Sequence, residues 1–322
     1  MSKIVLITNV KKPPTPGYAK HMSKNDFAMK LAAVRLNLAI RCNGYNVIEY
    51  SLKDFIKNIE LHRNDLIFPY HHGLNSKIRE SIIQTYCESY GIKYIGGDAH
   101  TQTVGNDKAL AKELCRQAGI QTPNTKILFH PDYPPDIEVL KLPLIIKPRF
   151  EGGSIAITDR NVVYNFQDAI ALAKQLNEDL KQDILIEEFI KGEELSICIV
   201  GYKRKIKKIG MVRYTKKGVV KSYNDKYLKF GSTKFENVDY LLNNQLKEQC
   251  ISLFHSLDKA EFLRIDFIRN DETYYNIEVT VSPTLSPMSC MYAPFKQQMT
   301  FNKFIGLLIS NCKERYLEIE NS

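Results

Sequence analysis

The sequence predicts an α/β chain of three successive units, the first built on a mostly parallel sheet. Three observations carry this. Apolar strands alternate with amphipathic helices through the N-terminal part of the chain. The length of 322 residues suits two or three domains, at about 100–200 residues each. The C-terminal part is strand-rich and holds a long polar–apolar alternation between Glu261 and Val281.

The elements follow in order. Lys3 to Thr8 is an apolar strand. Asn25 to Cys42 carries Phe27, Leu31, Val34 and Leu38 on one helical face, and Gly44 stops it. Asn46 to Tyr50 and Asp65 to Pro69 are strands, Ser76 to Tyr90 is a helix closed by Gly91, and Lys93 to Ile95 is strand-like. Lys11 to His21, with three prolines and a glycine, is a loop at the carboxyl end of the first strand, where open α/β sheets line ligand crevices. A second unit begins near Gly105. It has a helix over Asn106 to Gln117, strands near Thr125 to His130 and Pro143 to Pro148, a glycine loop at Phe150 to Ser154, a helix near Phe166 to Leu176 and a strand from Asp183 to Ile190. The third unit adds helices near Leu241 to Leu257 and Gln298 to Ser310.

Composition excludes several classes. With 44% hydrophobic and 25% charged residues the balance is that of a globular protein. No apolar run reaches the roughly 18 residues of a membrane span, and the N-terminal apolar stretch is too short for a signal peptide. The seven cysteines are scattered and form no C-x-x-C pair, which predicts reduced thiols in the cytoplasm and no zinc site. The net charge of +9 is spread along the chain. That favours an anionic small molecule over nucleic acid.

The chemistry concentrates in a β-hairpin. Phe262 to Ile268 and Tyr274 to Val281 alternate about the turn signal Asn270-Asp271-Glu272. A turn centred near Glu272 sets Asp266 opposite Glu278 and Arg264 opposite Thr280, all on one face. Facing carboxylates repel unless a cation lies between them. A magnesium site satisfies this, and so does a salt-bridged surface in which Arg264 neutralises one carboxylate. Lys147 ends an apolar strand before the Glu151-Gly152-Gly153-Ser154 loop, an arrangement that suits phosphate. Glu187 and Glu188 close another strand, with Glu193 and Glu194 on the next. These acids could take an adenosine amine and ribose hydroxyls, or could be solvated strand ends.

Order and spacing unite these pieces. His72-Gly73, Asn106-Asp107-Lys108, Ile146-Lys147-Pro148 with its glycine loop, Ile186-Glu187-Glu188-Phe189-Ile190, Lys226-Tyr227, Arg264-Ile265-Asp266 and Glu278-Val279-Thr280-Val281-Ser282-Pro283 resemble ATP-grasp enzymes. Among those, the chain from about Tyr70 onward is similar to D-alanine–D-alanine ligases. The resemblance implies a three-domain ATP-grasp architecture: an N-terminal α/β domain over 1–104, a central subdomain over 105–190, and a C-terminal subdomain over 191–322 carrying the metal and acceptor site.

It also implies the cofactors and the roles. ATP is co-substrate, with magnesium, replaceable by manganese. Lys108 and Lys147 contact phosphates; Glu187, Glu188 and Ile190 line the adenine pocket; Glu194 takes the ribose. Ser154 lies under the phosphate-covering loop, Lys226 reaches the γ-phosphate, and Tyr227 sits near the second substrate. Asp266, Glu278 and Thr280 hold metal, Arg264 stabilises the oxyanion, and His72 and Ser289 bind substrate. The implied reaction joins a carboxylate to an amine through an acylphosphate. The chain departs from the family in several places. Thr280 stands for asparagine, Gly153 for serine and Thr284 for glycine, and Lys11 to His21 and Leu74 to Lys77 replace the segments that grip the first substrate. The alternatives are an ATP-binding protein without catalysis, a kinase releasing an acylphosphate, and a dipeptide or natural-product amide ligase. The expected partners are small amino-acid or carboxylate substrates, with no nucleic acid or membrane; a homodimer is compatible with them.

Overall fold

The computed structural model describes residues 3–9, 30–71, 77–78, 80–152, 156–215, 234–257 and 259–320. Lys11 to His21, His72, Ser154, Lys226 and Tyr227 lie outside the described residues.

Three sheets succeed one another along the chain. β1 (Lys3–Asn9), β2 (Asn46–Tyr50) and β3 (Leu66–His71) form a parallel sheet in the order β2-β1-β3. Side-chain alternation divides β1 between two cores. Ile4 and Leu6 join the core of the helix at 30–42, and Val5 and Ile7 that of the helices Leu52–Lys57 and Ile82–Ser89. The apolar stripe expected to mark the first helix is not its buried face. Val34 and Leu38 are 52% and 57% exposed, whereas Ala32, Ala33, Leu36, Ala39 and Ile40 are buried. The inner face combines three alanines, which let the helix lie close to the sheet, with Leu36 and Ile40.

The second sheet, in the order β4-β7-β5-β6, is antiparallel. It comprises β4 (Thr125–Leu128), β5 (Leu144–Pro148), β6 (Val162–Val163) and β7 (Ile184–Glu188), and the helix Phe166–Leu180 covers one face. The third is also antiparallel, in the order β10-β9-β8-β11-β12. Its strands are β8 (Glu193–Tyr202), β9 (Lys205–Thr215), β10 (Lys234–Asn237), β11 (Phe262–Asn270) and β12 (Thr273–Thr280). The helices Lys108–Gln117 and Asn244–Ser256 pack on one face of this sheet.

Helix boundaries differ from expectation where side chains intervene. The helix expected over Asn106 to Gln117 is two, Ala99–Asn106 and Lys108–Gln117. Asp107 is extended between them, and its carboxylate caps the second helix by accepting from the Ala109 and Leu110 N–H groups. Arg149 bridges Asp107 at 2.7 Å and Asp183 at 3.0 Å, tying this cap to the end of β5. The helix expected from Ser76 is described from Ile82, and the helix Leu52–Lys57 before it was not expected.

The C-terminal helix, Phe301–Glu320, runs past Ser310 and returns to the first sheet. Phe304, Leu308 and Cys312 share one core with Ile4, Leu6 and Val200. A buried ion pair locks the joint. Arg315 lies 2.8 Å from Glu261 and donates to the Tyr94 carbonyl, and Glu261 accepts from the Gly96 N–H at 2.7 Å. Burial raises the Glu261 carboxyl to about 7, with Arg315 and the Gly96 N–H pulling it back. Removing one partner of a buried pair is costly. Arg315→Ala should therefore lower the unfolding free energy by about 3 kcal/mol, seen as an earlier denaturant midpoint at unchanged slope. An unmoved midpoint would mean that apolar contacts alone dock the helix.

Candidate active site

The hairpin of β11 and β12 reaches the expected register by a different route. Its turn is only Asp271–Glu272, with Asn270 paired to Thr273 and Asp271 at φ 50°. A regular ladder from that turn would set Asp266 opposite Ile277. Instead pairing passes from Phe267↔Asn276 to Asp266↔Glu278, leaving Ile277 as a bulge. Asp266 thus faces Glu278, and Arg264 faces Thr280. Asn276, 1% exposed, staples the bulge by donating to the carbonyls of Asp266 at 3.1 Å and Glu278 at 3.0 Å.

β12 is an edge strand, and the bulge changes what that edge presents. Consecutive carbonyls of a regular strand point to opposite sides, but here those of Asn276 and Ile277 both accept from lysines of the neighbouring unit. Lys112 donates to Asn276 at 3.2 Å and Lys147 to Ile277 at 3.3 Å. The same two ammonium groups meet on Glu187, Lys112 at 3.3 Å from Oε1 and Lys147 at 2.8 Å from Oε2. Burial alone would raise the Glu187 carboxyl, but the two lysines outweigh it and hold it below the usual carboxylate range. Burial, with the Lys147 charge beside it, lowers the Lys112 ammonium to about 8 against the pull of Glu187. Lys108, the first residue of its helix, donates to the Glu151 carbonyl and lies 3.7 Å from Glu278.

A second polar chain runs behind the hairpin. Arg264 donates to both Asp266 oxygens, at 2.8 and 2.7 Å, and to the Thr280 hydroxyl at 3.0 Å. Ser196, the cross-strand neighbour of Asp266 on β8, also donates to it. Its hydroxyl is 2.9 Å from that of Tyr214, which donates to the Cys290 thiol at 2.9 Å. Cys290 and the Arg264 guanidinium act on each other's charge, and Ser289, the residue before Cys290, is 8% exposed.

The described residues therefore bring together Lys108, Lys147, Glu187, Arg264, Asp266, Glu278 and Thr280, with Ser289 beside them. Glu194 is buried on β8 and Ile190 half-buried just past β7. Glu188 turns away from the lysines, accepting from the Asn124 amide and the Lys141 N–H, both at 3.0 Å. Gly192 is required by close approach, since a Cβ there would stand 2.0 Å from the Arg269 carbonyl oxygen. Sequence reasoning passed over Lys112, Ser196, Tyr214 and Asn276. Only Lys112 left a signal, lying four residues after Lys108 on the same helical face.

The donor set fits magnesium. Asp266, Glu278 and Thr280 offer oxygen only, the donor type that magnesium takes. Among the described residues no three His, Cys, Asp or Glu side chains cluster as a complete cage. Two carboxylates that leave the remaining positions to phosphates and water are what magnesium favours.

Lys147 of one antiparallel sheet and Lys108 of the adjoining helix, set against facing carboxylates on the edge hairpin of another sheet, define a nucleotide-dependent enzyme of the ATP-grasp class. The D-ala D-ala ligase C-terminus family matches residues 114–310. The chain belongs to that family. A D-alanine–D-alanine ligase of Aquifex aeolicus is 26% identical over 277 residues, 84% of this chain and 91% of that protein. One from Xylella fastidiosa is 25% identical over 235 residues, covering 70% and 74%. Among solved structures, D-alanine–D-alanine ligase from Bacillus anthracis complexed with ATP superposes with a TM-score of 0.77 at 19% identity, covering 99% of both chains. The VanG D-Ala:D-Ser ligase from Enterococcus faecalis gives 0.71 at 19% identity, covering 97% of this chain and 100% of that one. At these identities the superpositions speak for the fold. No helix among the described residues is long and apolar enough to cross a membrane.

The bulge makes a specific prediction. Asn276→Ala removes two buried hydrogen bonds and should cost about 2 kcal/mol, at about 1 kcal/mol each. It should also raise the magnesium concentration needed for half-maximal ATP turnover, because Asp266 and Glu278 lose their fixed register. Thermal unfolding and a magnesium titration check both; normal values in each would show that the turn alone sets the register.

Proposed function

We propose that this chain activates a small carboxylate with ATP and joins it to an amine, using the residues gathered between the second and third sheets. The three sheets are read as three domains, over 1–104, 105–190 and 191–322, with ATP between the latter two. The observation that carries this reading is the Lys108–Glu278 contact of 3.7 Å, because it sets a phosphate-type lysine against a metal-type carboxylate across the two units.

In this reading Lys108 and Lys147 hold phosphate oxygens. Glu187, Glu188, Ile190 and Glu194 stand around the nucleoside, Glu187 reaching it while paired with the lysines. Asp266 and Glu278, with Thr280, hold magnesium, which when bound neutralises phosphate charge and fixes its orientation. Arg264 is kept from rotating by Asp266 and Thr280, so its guanidinium is already oriented toward charge that develops on the acyl carbon's oxygen. Ser289 anchors the acceptor's carboxylate beside it. Lys226 serves the γ-phosphate, Ser154 the phosphate site and Tyr227 the second substrate, and His72 binds substrate. Catalysis then rests on positioning and charge stabilisation rather than on a protein nucleophile. The site works in the cytoplasm, and a homodimer is compatible with it.

The relatives are named for D-alanine, so D-alanine pairs are the first substrates to try. Acidic amino acids come next, because Lys11, Lys12, Lys20, His21 and Lys77 stand in the segments that replace the first-substrate grip. Product analysis across amino-acid pairs should show ADP and phosphate only when an amine acceptor is present. Release of an acylphosphate without an acceptor would identify a kinase, and no turnover with any pair would favour a binding protein. Lys147→Ala should weaken ATP binding at least about tenfold, through loss of charge-assisted contacts of about 1.5–3 kcal/mol. Unchanged affinity by calorimetry would remove Lys147 from the phosphate site.

A further inference from the structure

We infer that Lys112 is a positioning residue for the nucleotide: it keeps the Glu187 carboxylate paired, so that Lys147 can leave that carboxylate for a phosphate without stranding a buried anion. The inference rests on the reading of Lys147 as a phosphate ligand.

Glu187 is 0% exposed and is shared by two cations, so the cluster carries one positive charge more than it can neutralise. The two lysines are not equivalent. Lys112 is 2% exposed, one helical turn beyond Lys108, and is also anchored on the Asn276 carbonyl at 3.2 Å. Lys147 ends the strand that leads into the glycine loop and holds Ile277 at 3.3 Å, beside Glu278. It is the cation placed to move.

If Glu187 had only one lysine, moving it would leave an unpaired buried carboxylate, a costly state. With Lys112 present, departure of Lys147 leaves a balanced one-to-one pair. The surplus charge thus suits an anion, and the bulge that turns two adjacent carbonyls to one side is what lets both ammonium groups sit there.

The groups facing Lys112 are Glu187 from β7, Lys147 from β5, the Asn276 carbonyl from β12 and Cys115 on its own helix. Without an anion, burial and Lys147 hold its ammonium down at about 8. A phosphate that engages Lys147 removes that repulsion and leaves Glu187 to Lys112 alone, so Lys112 binds its proton more tightly. The sign follows: above about pH 8, where Lys112 is partly deprotonated, nucleotide binding takes up a proton, and at neutral pH it does not.

Titration calorimetry with magnesium-ATP on the full chain, in two buffers of different ionisation enthalpy, reads this directly. At about pH 8.5 the triphosphate is already ionised, so uptake reports the protein. The wild type should take up a sizeable fraction of a proton at that pH and little at neutral pH. In Lys112→Met the uptake should vanish and the ATP Kd rise at least about tenfold. Undiminished affinity and uptake in Lys112→Met overturns the role of Lys112. Should that variant not fold, absence of uptake in the wild type at about pH 8.5 overturns it instead. A wild type that binds no ATP is a different failure, that of the nucleotide reading itself.

Discussion

The pairing of one buried carboxylate with two lysines, on the edge of a bulged strand, is the constraint on which the site depends. Glu187 lies at the end of β7 in the second sheet, and Lys112 and Lys147 reach it from a helix and from β5. Both lysines then continue to carbonyls of β12 in the third sheet. A charge cluster this deep is stable only when each member has a partner. The two units are therefore held at the one spacing that satisfies all of them, and Lys108 and Glu278 come within 3.7 Å as a result. Within the second unit, Arg149 ties the helix Lys108–Gln117 to the second sheet through Asp107 and Asp183.

A parallel logic governs the hairpin. One extra residue in β12 moves the register by a single position, and a one-residue slip exchanges the faces of a strand. Without Ile277 as the bulge, Glu278 would not oppose Asp266, and the two carboxylates would not share a site. The face they occupy is polar on three adjacent strands, with Ser196 on β8, Arg264 and Asp266 on β11, and Glu278 and Thr280 on β12. The opposite face of β11 carries Leu263, Ile265 and Phe267 into a core with the helices Lys108–Gln117 and Asn244–Ser256. The site is thus built on a packed sheet, which is what orientation of Arg264 needs.

Much of this was legible from residue type and spacing. The alternation around Arg264-Ile265-Asp266 and Glu278-Val279-Thr280 announces a hairpin with its charges on one face, and the pairing was correctly anticipated. The apolar first strand and the parallel first sheet were equally plain. The errors share one cause, that local pattern does not state what an element packs against. Val34 and Leu38 have the right spacing for a buried stripe, yet the alanine face lies inward. Asn106 to Gln117 has helical composition throughout, yet Asp107 breaks it because its carboxylate has N–H groups to cap and Arg149 to meet.

The sequence by itself determined the hairpin and the face on which its carboxylates lie, and the order of its motifs carried the resemblance to ATP-grasp ligases. The hairpin follows from residue type and a period of two, which neighbours in the chain already express. Only the tertiary structure decided that Glu187 is shared by Lys112 and Lys147, that Ser196 supports Asp266, and that the C-terminal helix closes on the first sheet through Arg315 and Glu261. These pairs are separated by dozens of residues, and a lysine on a helix reads the same whether it meets water or a buried carboxylate. Burial sets the difference, by removing the solvent that would otherwise make each charge independent of the rest.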